Sequence, residues 1–169
     1  MIRLLLILLP LLNLNDQNNI AQVPSNFQTL DTSRYVVFPY SQAYSYYLSD
    51  GKPTTISPSE INLIDTLLIK ASEEYNNKKD KYFSWQPISS LESYKLQLIA
   101  VLDSNNKKMV YANCFRPWTL YGRKETLKDQ PSDWRTVLVL ADGGGNTFFH
   151  LTFNLTDSTY NPIITNSHL

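Results

Sequence analysis

The sequence predicts an α+β fold: one long helix packed on a curled antiparallel sheet of about four strands, preceded by a signal peptide. Three observations predict it. A capped amphipathic segment begins at Ser57, two later stretches alternate apolar and polar residues around turn-forming residues, and the chain opens on a short cationic start followed by an aliphatic run.

At the N-terminus, Arg3 supplies the charge and residues 4–12 supply an apolar run interrupted only by Pro10. This is the n-region and h-region pattern of a secretion signal. The run is about half of the ~20 apolar residues that a membrane-spanning helix needs, so cleavage rather than anchoring is expected. Residues 1–21 are read as the signal, with Gln22 as the first mature residue and Asn19 a poor fit at the minus-three position. Residues 22–33 are polar and carry Pro24, which predicts a flexible mature N-terminus. Residues 34–169 then form a single α+β domain. A mature chain of about 150 residues can bury roughly two-thirds of the surface that its unfolded form exposes, so one core suffices.

Within the domain, residues 35–38 form a short β-type run that ends at Pro39, and residues 44–48 form a second, closed by Asp50-Gly51 and Pro53. The helix follows. Ser57, Pro58 and Glu60 are an N-cap serine, a first-turn proline and the acidic residue of a capping box. Behind them Ile61, Ile64, Leu67, Leu68, Ala71 and Tyr75 recur at three- and four-residue spacing, while Asn62, Asp65, Lys70, Glu73 and Glu74 are assigned to the solvent side. The polar run 76–80 ends it.

Beyond the helix the period changes to two. Residues 94–103 and 108–115 read as a hairpin around Asn105-Asn106, and residues 134–141 and 146–154 as a second hairpin around Asp142 and the three glycines after it. A last short strand is expected over 160–165. In the segment 146–154, Phe149, Leu151 and Phe153 share the face expected to meet the helix, opposite Phe148, His150 and Thr152. Short strands, one helix and a meander follow the element order of cystatin-like folds, which implies no activity.

The blocks at 52–56, 74–76, 94–97, 113–115, Trp134, 142–144 and 153–156 resemble a recurrent group of small exported proteins of Bacteroidetes-type bacteria. The resemblance covers roughly residues 52–165. It implies export and the one-helix-plus-meander fold, and it brings no assigned chemistry. Segment 116–133 is longer than usual for that group.

Lys plus Arg and Asp plus Glu stand at 15 each, which gives no basis for nucleic acid or an anionic membrane as partner. The single cysteine, Cys114, leaves stability to packing rather than to an internal disulfide. Cys114, His150 and Asp142 are the residue types of a cysteine hydrolase, yet Cys114 lies mid-strand, where a thiol is far more often a small core residue than a nucleophile. The glycine-rich stretch after Asp142 lacks the lysine and the helix of a phosphate loop. His150 and His168 with one cysteine form no zinc spacing. No catalytic residue, cofactor or metal is therefore expected. Asn154-Leu155-Thr156 matches a glycosylation sequon and is treated as background.

Segment 116–133 is the place where function is expected, because long loops are often functional and because Trp, Tyr and Arg dominate binding hot spots. Arg116, Trp118, Tyr121 and Arg123 are the candidate contacts to a protein or glycan partner. The expected function is an exported, non-enzymatic binding or inhibitory module, periplasmic or extracellular, with no membrane anchor after signal cleavage. Two alternatives stand beside it: a small hydrolase using His150 with Asp142 or Cys114, and a structural component of an exported assembly.

Overall fold

The computed structural model describes residues 33–41, 47–48, 51–78, 86–117, 134–141 and 143–166. The elements are β1 (Tyr35–Phe38), β2 (Lys52–Pro53), α1 (Pro58–Asn77), β3 (Lys95–Leu102), β4 (Lys108–Phe115), β5 (Phe148–Asn154), β6 (Thr159–Tyr160) and β7 (Ile164–Thr165). They make an α+β molecule with one α-helix and one mixed seven-stranded sheet among the described residues. The expected signal peptide and residues 22–32 lie outside the described residues.

The N-terminus of α1 forms as its sequence dictates. Ser57 Oγ accepts from the Glu60 N–H, and Glu60 Oε2 accepts from the Ser57 N–H at 2.7 Å, so two of the helix's orphan donors are satisfied reciprocally. Glu60 also takes an ion pair from Lys108 of β4 at 2.6 Å, which ties the start of the helix to the sheet. Ile61, Ile64, Leu67, Leu68 and Ala71 are buried, and Tyr75 packs partly buried beside them. Asp65, its side chain 42% exposed, sits at the margin of the solvent side, 3.5 Å from Arg34, the residue just before β1.

Sheet order is β1-β3-β4-β5-β6, with β2 beside β3 and β7 beside β5. The sheet has seven strands where about four are expected, because four short segments extend it at the edges. It is also not wholly antiparallel: β1 pairs parallel to β3, with Tyr35 opposite Leu96 and Phe38 opposite Ile99. The central three strands form a sequential antiparallel meander. The β3–β4 turn is closed by Asp103, whose Oδ1 accepts from the Asn105 and Lys107 N–H groups, with Asn106 at φ 58. Residues 160–165 do not make one strand. Pro162 has no N–H for the ladder, and the chain pairs with β5 only on either side of it, as β6 and β7.

Each face of the sheet carries its own core. On the helix face, Leu96, Leu98 and Ala100 of β3, Val110, Ala112 and Cys114 of β4, and Phe149, Leu151 and Phe153 of β5 pack against α1. The second face gathers Phe38, Leu48, Ile99, Val101 and Tyr111, with Val36, Tyr47, Met109 and Leu138 against them. Residues 44–46 of the second expected strand lie outside the described residues. Tyr47 and Leu48 sit in a turn that feeds this second core.

The second expected hairpin does not form. Residues 134–141 make turns and irregular chain, and β5 begins at Phe148 after a 3₁₀ turn over Gly145–Thr147. One edge of β5 is taken by β4 and the other by β6 and β7, so no ladder position remains for 134–141. Of the glycines in the connection, Gly144 adopts φ 96, and a Cβ there would lie 2.7 Å from the Phe148 ring.

Candidate functional site

The second face carries the residues of chemical interest. Beside the Ile99–Tyr111 pair of its apolar cluster, Gln97 of β3 and Asn113 of β4 stand opposite each other in register, Gln97 wholly buried and Asn113 nearly so. A buried amide is costly unless its groups are paired, and here they are paired with a passing stretch of chain. Gln97 Nε2 donates to the carbonyls of Trp134 at 2.6 Å and Val137 at 2.7 Å. Gln97 Oε1 accepts from the Val139 N–H at 2.8 Å and from Asn113 Nδ2 at 2.9 Å. Asn113 Nδ2 also donates to the Val139 carbonyl at 2.7 Å.

Both main-chain groups of Val139 are thus bound by two side chains, as a neighbouring strand would bind them. The segment 134–141 forms a strap across the second face. Its Leu138 turns inward to the cluster around Ile99 and Tyr111, while Val137 and Leu140 face outward at 53% and 70% exposure. At the far end of the strap, Asn166 Nδ2 donates to the carbonyl of Ala141 and, at 3.4 Å, to that of Gly143. This joins the strap to β7, where Ile164 is also exposed. At its start, the Trp134 ring packs edge-on against Phe115, with Arg135 and Lys95 4.5 and 5.8 Å from its centroid.

His150 of β5 continues the polar row, opposite Asn113 on one side and Ile164 on the other. It is half-buried, with its ring 5.7 Å from that of Tyr111, which in turn lies 4.8 Å from Tyr47. Burial favours the neutral imidazole and holds His150 below the ordinary histidine value. Tyr111 is pushed up by burial, with Tyr47 and Cys114 adding to the effect.

Cys114 points the other way. It opposes Leu96 and Phe149, is fully enclosed on the helix face, and burial pushes its thiol far up, against a lowering influence of Arg34. The sheet therefore stands between the Cys114 thiol and the His150 imidazole, and the structure does not bring them together. Asp142 and His168 lie outside the described residues. Among the described residues no three His, Cys, Asp or Glu side chains gather as a metal site would require.

Of the candidate partner-binding residues, Arg116 is described. Its guanidinium lies 4.6 Å from the ring centroid of Tyr94 and donates to the Ser89 carbonyl. Tyr94 is itself buried and donates to the Asn146 carbonyl at 2.9 Å. Arg116 thereby braces the end of β4, beside the root of the long connection. Trp118, Tyr121 and Arg123 lie outside the described residues. A concavity of about 520 Å³ lies at the end of the helix face, lined by Arg34, Asp65, Leu68, Ser72, Ile88 and Glu92 among others. Burial raises the Asp65 carboxyl there, with Arg34 opposing.

Gln97 and Asn113 are absent from the sequence-based candidates. The available signal was a polar residue at mid-strand in each arm of a hairpin whose register sets the two opposite each other. Comparison with family models, curated proteins and solved structures finds no match to the chain.

Proposed function

We propose that this chain is an exported, non-enzymatic module that binds or inhibits a protein partner through the outward side of the strap and the neighbouring loop root. The observation that carries the reading is the strap itself. A segment that exposes Val137 and Leu140 is fixed on the sheet by four hydrogen bonds from two buried amides rather than turned inward. Aliphatic side chains held out to solvent beside Ile164 suit an apolar protein contact, while Trp134 and Arg135 supply the residue types found at interface anchors.

Export rests on the N-terminal charge and apolar run, and mass spectrometry of the protein recovered outside the cytoplasm is expected to find a chain beginning near Gln22. The binding reading is tested by pull-down from envelope and secreted fractions with the mature protein, beside a Val137→Asp, Leu140→Asp variant and a Trp118→Ala, Tyr121→Ala variant. A partner recovered by the wild type and lost from the strap variant is the expected result. Equal recovery by all three folded proteins overturns the strap as the binding surface.

A further inference from the structure

Val139 is held in an unusual way for a surface segment. Its N–H and its C=O are both bound, at 2.8 and 2.7 Å, by side-chain amides that reach up from the sheet. Nothing in that pairing depends on the side chain of residue 139. What the amides recognise is the main chain at Val139, just beyond the turn over 134–137, together with one inward anchor, Leu138, which enters the apolar cluster around Ile99 and Tyr111. The same amides take the Trp134 and Val137 carbonyls. This is the chemistry by which peptide-binding proteins hold extended ligands: main-chain hydrogen bonds supply affinity and an apolar socket supplies selectivity.

We propose that the second face of the sheet is a peptide-binding site, and that the strap is its resident intramolecular ligand. The external ligand is an extended, uncharged segment of a partner protein, with a large aliphatic residue followed by a residue that has a free main-chain N–H. It replaces the strap on Gln97 and Asn113. The inference rests on the reading of the chain as a protein-binding module, and it is the alternative to the outward side of the strap as contact surface, because here the partner takes the strap's place. Strap occupancy sets the apparent affinity. A ligand that must displace a tethered segment binds more weakly, in proportion to the fraction of time that the site is open.

The test uses the mature chain and a fluorescent peptide with the sequence of residues 136–141. Two variants loosen the strap by different means: Val139→Pro removes the N–H that Gln97 accepts, and Leu138→Ser withdraws the anchor. Binding is read by anisotropy, with folding checked by circular dichroism. Saturable binding at least tenfold tighter to a loosened chain than to the wild type is expected, abolished when Gln97→Leu is added and when the peptide carries proline at the position of Val139. A folded loosened chain that shows no binding, or binding indifferent to Gln97→Leu, overturns the site. If neither loosened chain folds, the strap is an integral part of the core and the proposal fails as well. A partner captured by the wild type and not displaced by excess peptide would retain the binding reading while overturning this one.

Discussion

Cys114 and His150 illustrate how the two faces of a strand decide a residue's chemistry. Only the thiolate of a cysteine is reactive, and burial at Cys114 holds the neutral thiol far above the pH range in which thiolates form. Native protein is therefore expected to resist a thiol-specific alkylating reagent, with labelling that tracks global unfolding in denaturant; rapid native labelling would contradict the sealed position. For His150 the shift has the opposite consequence. Its folded-state value is lowered by burial, so at mildly acid pH the unfolded chain binds the proton more readily than the folded one. Stability is then complete above the ordinary histidine value of 6.5 and falls as pH drops through it. Urea unfolding between pH 7.5 and 5.5 is expected to show a loss of stability in the wild type that is reduced in His150→Gln. An identical slope in both would assign the effect elsewhere. Glu60 does not confuse this window. Burial would raise its carboxyl, but the Lys108 and Ser57 hydrogen bonds overcome that and hold it below 4.5, so its contribution is lost only at lower pH.

Elements differ in how much of their cause lies nearby in the chain. Helix α1 is set by a capping box and an apolar stripe within some twenty residues, and both were legible. Ser57→Ala is expected to cost about 1 kcal/mol, and ~2–4 °C in a thermal melt of a chain this size. A melt unchanged by the substitution would mean that packing alone fixes the helix start. The β3–β4 hairpin was equally legible, since its turn and its alternation are local. The strap was not. Its Val-Leu-Val-Leu run has strand composition, yet its partners are side chains 26 to 42 positions earlier in the sequence, which no local periodicity reports. Breaking that attachment leaves buried groups unpaired at ~1–3 kcal/mol each, so Gln97→Leu should destabilise despite its similar volume. Amide exchange at Val139 should accelerate more in that variant than exchange within β4, and uniform acceleration would argue against a local role.

For the molecule as a whole, one helix and one sheet were foreseeable, and the two-sided core was not. A meander with a helix on one face leaves the other face to solvent unless further chain covers it. Here 134–141, Tyr47 and Leu48 provide that cover, from segments whose sequences did not announce it. The same holds for the candidate site. Cys114 was recognisable as a core residue from its mid-strand position, whereas Gln97 and Asn113 become meaningful only once register sets them opposite each other and a distant segment passes above.

Strand β1 bears on the order of events in folding. It pairs with residues about sixty positions later, and it contributes to both cores, Tyr35 beside the helix-face cluster and Phe38 within the other. During synthesis β1 has no partner until β3 has been made. Closing so long a loop carries an entropy cost of order (3/2)RT ln n, about 3–4 kcal/mol, that the β3–β4 hairpin with its short turn largely avoids. The β3–β4 hairpin can therefore assemble first and β1 dock onto it later, closing both layers in one step. Phe38→Ala is expected to act chiefly on the rate of escape from the native state, raising the unfolding limb of a chevron plot and leaving the refolding limb nearly in place. The earliest strand among the described residues would then be the latch that decides how long the finished molecule lasts.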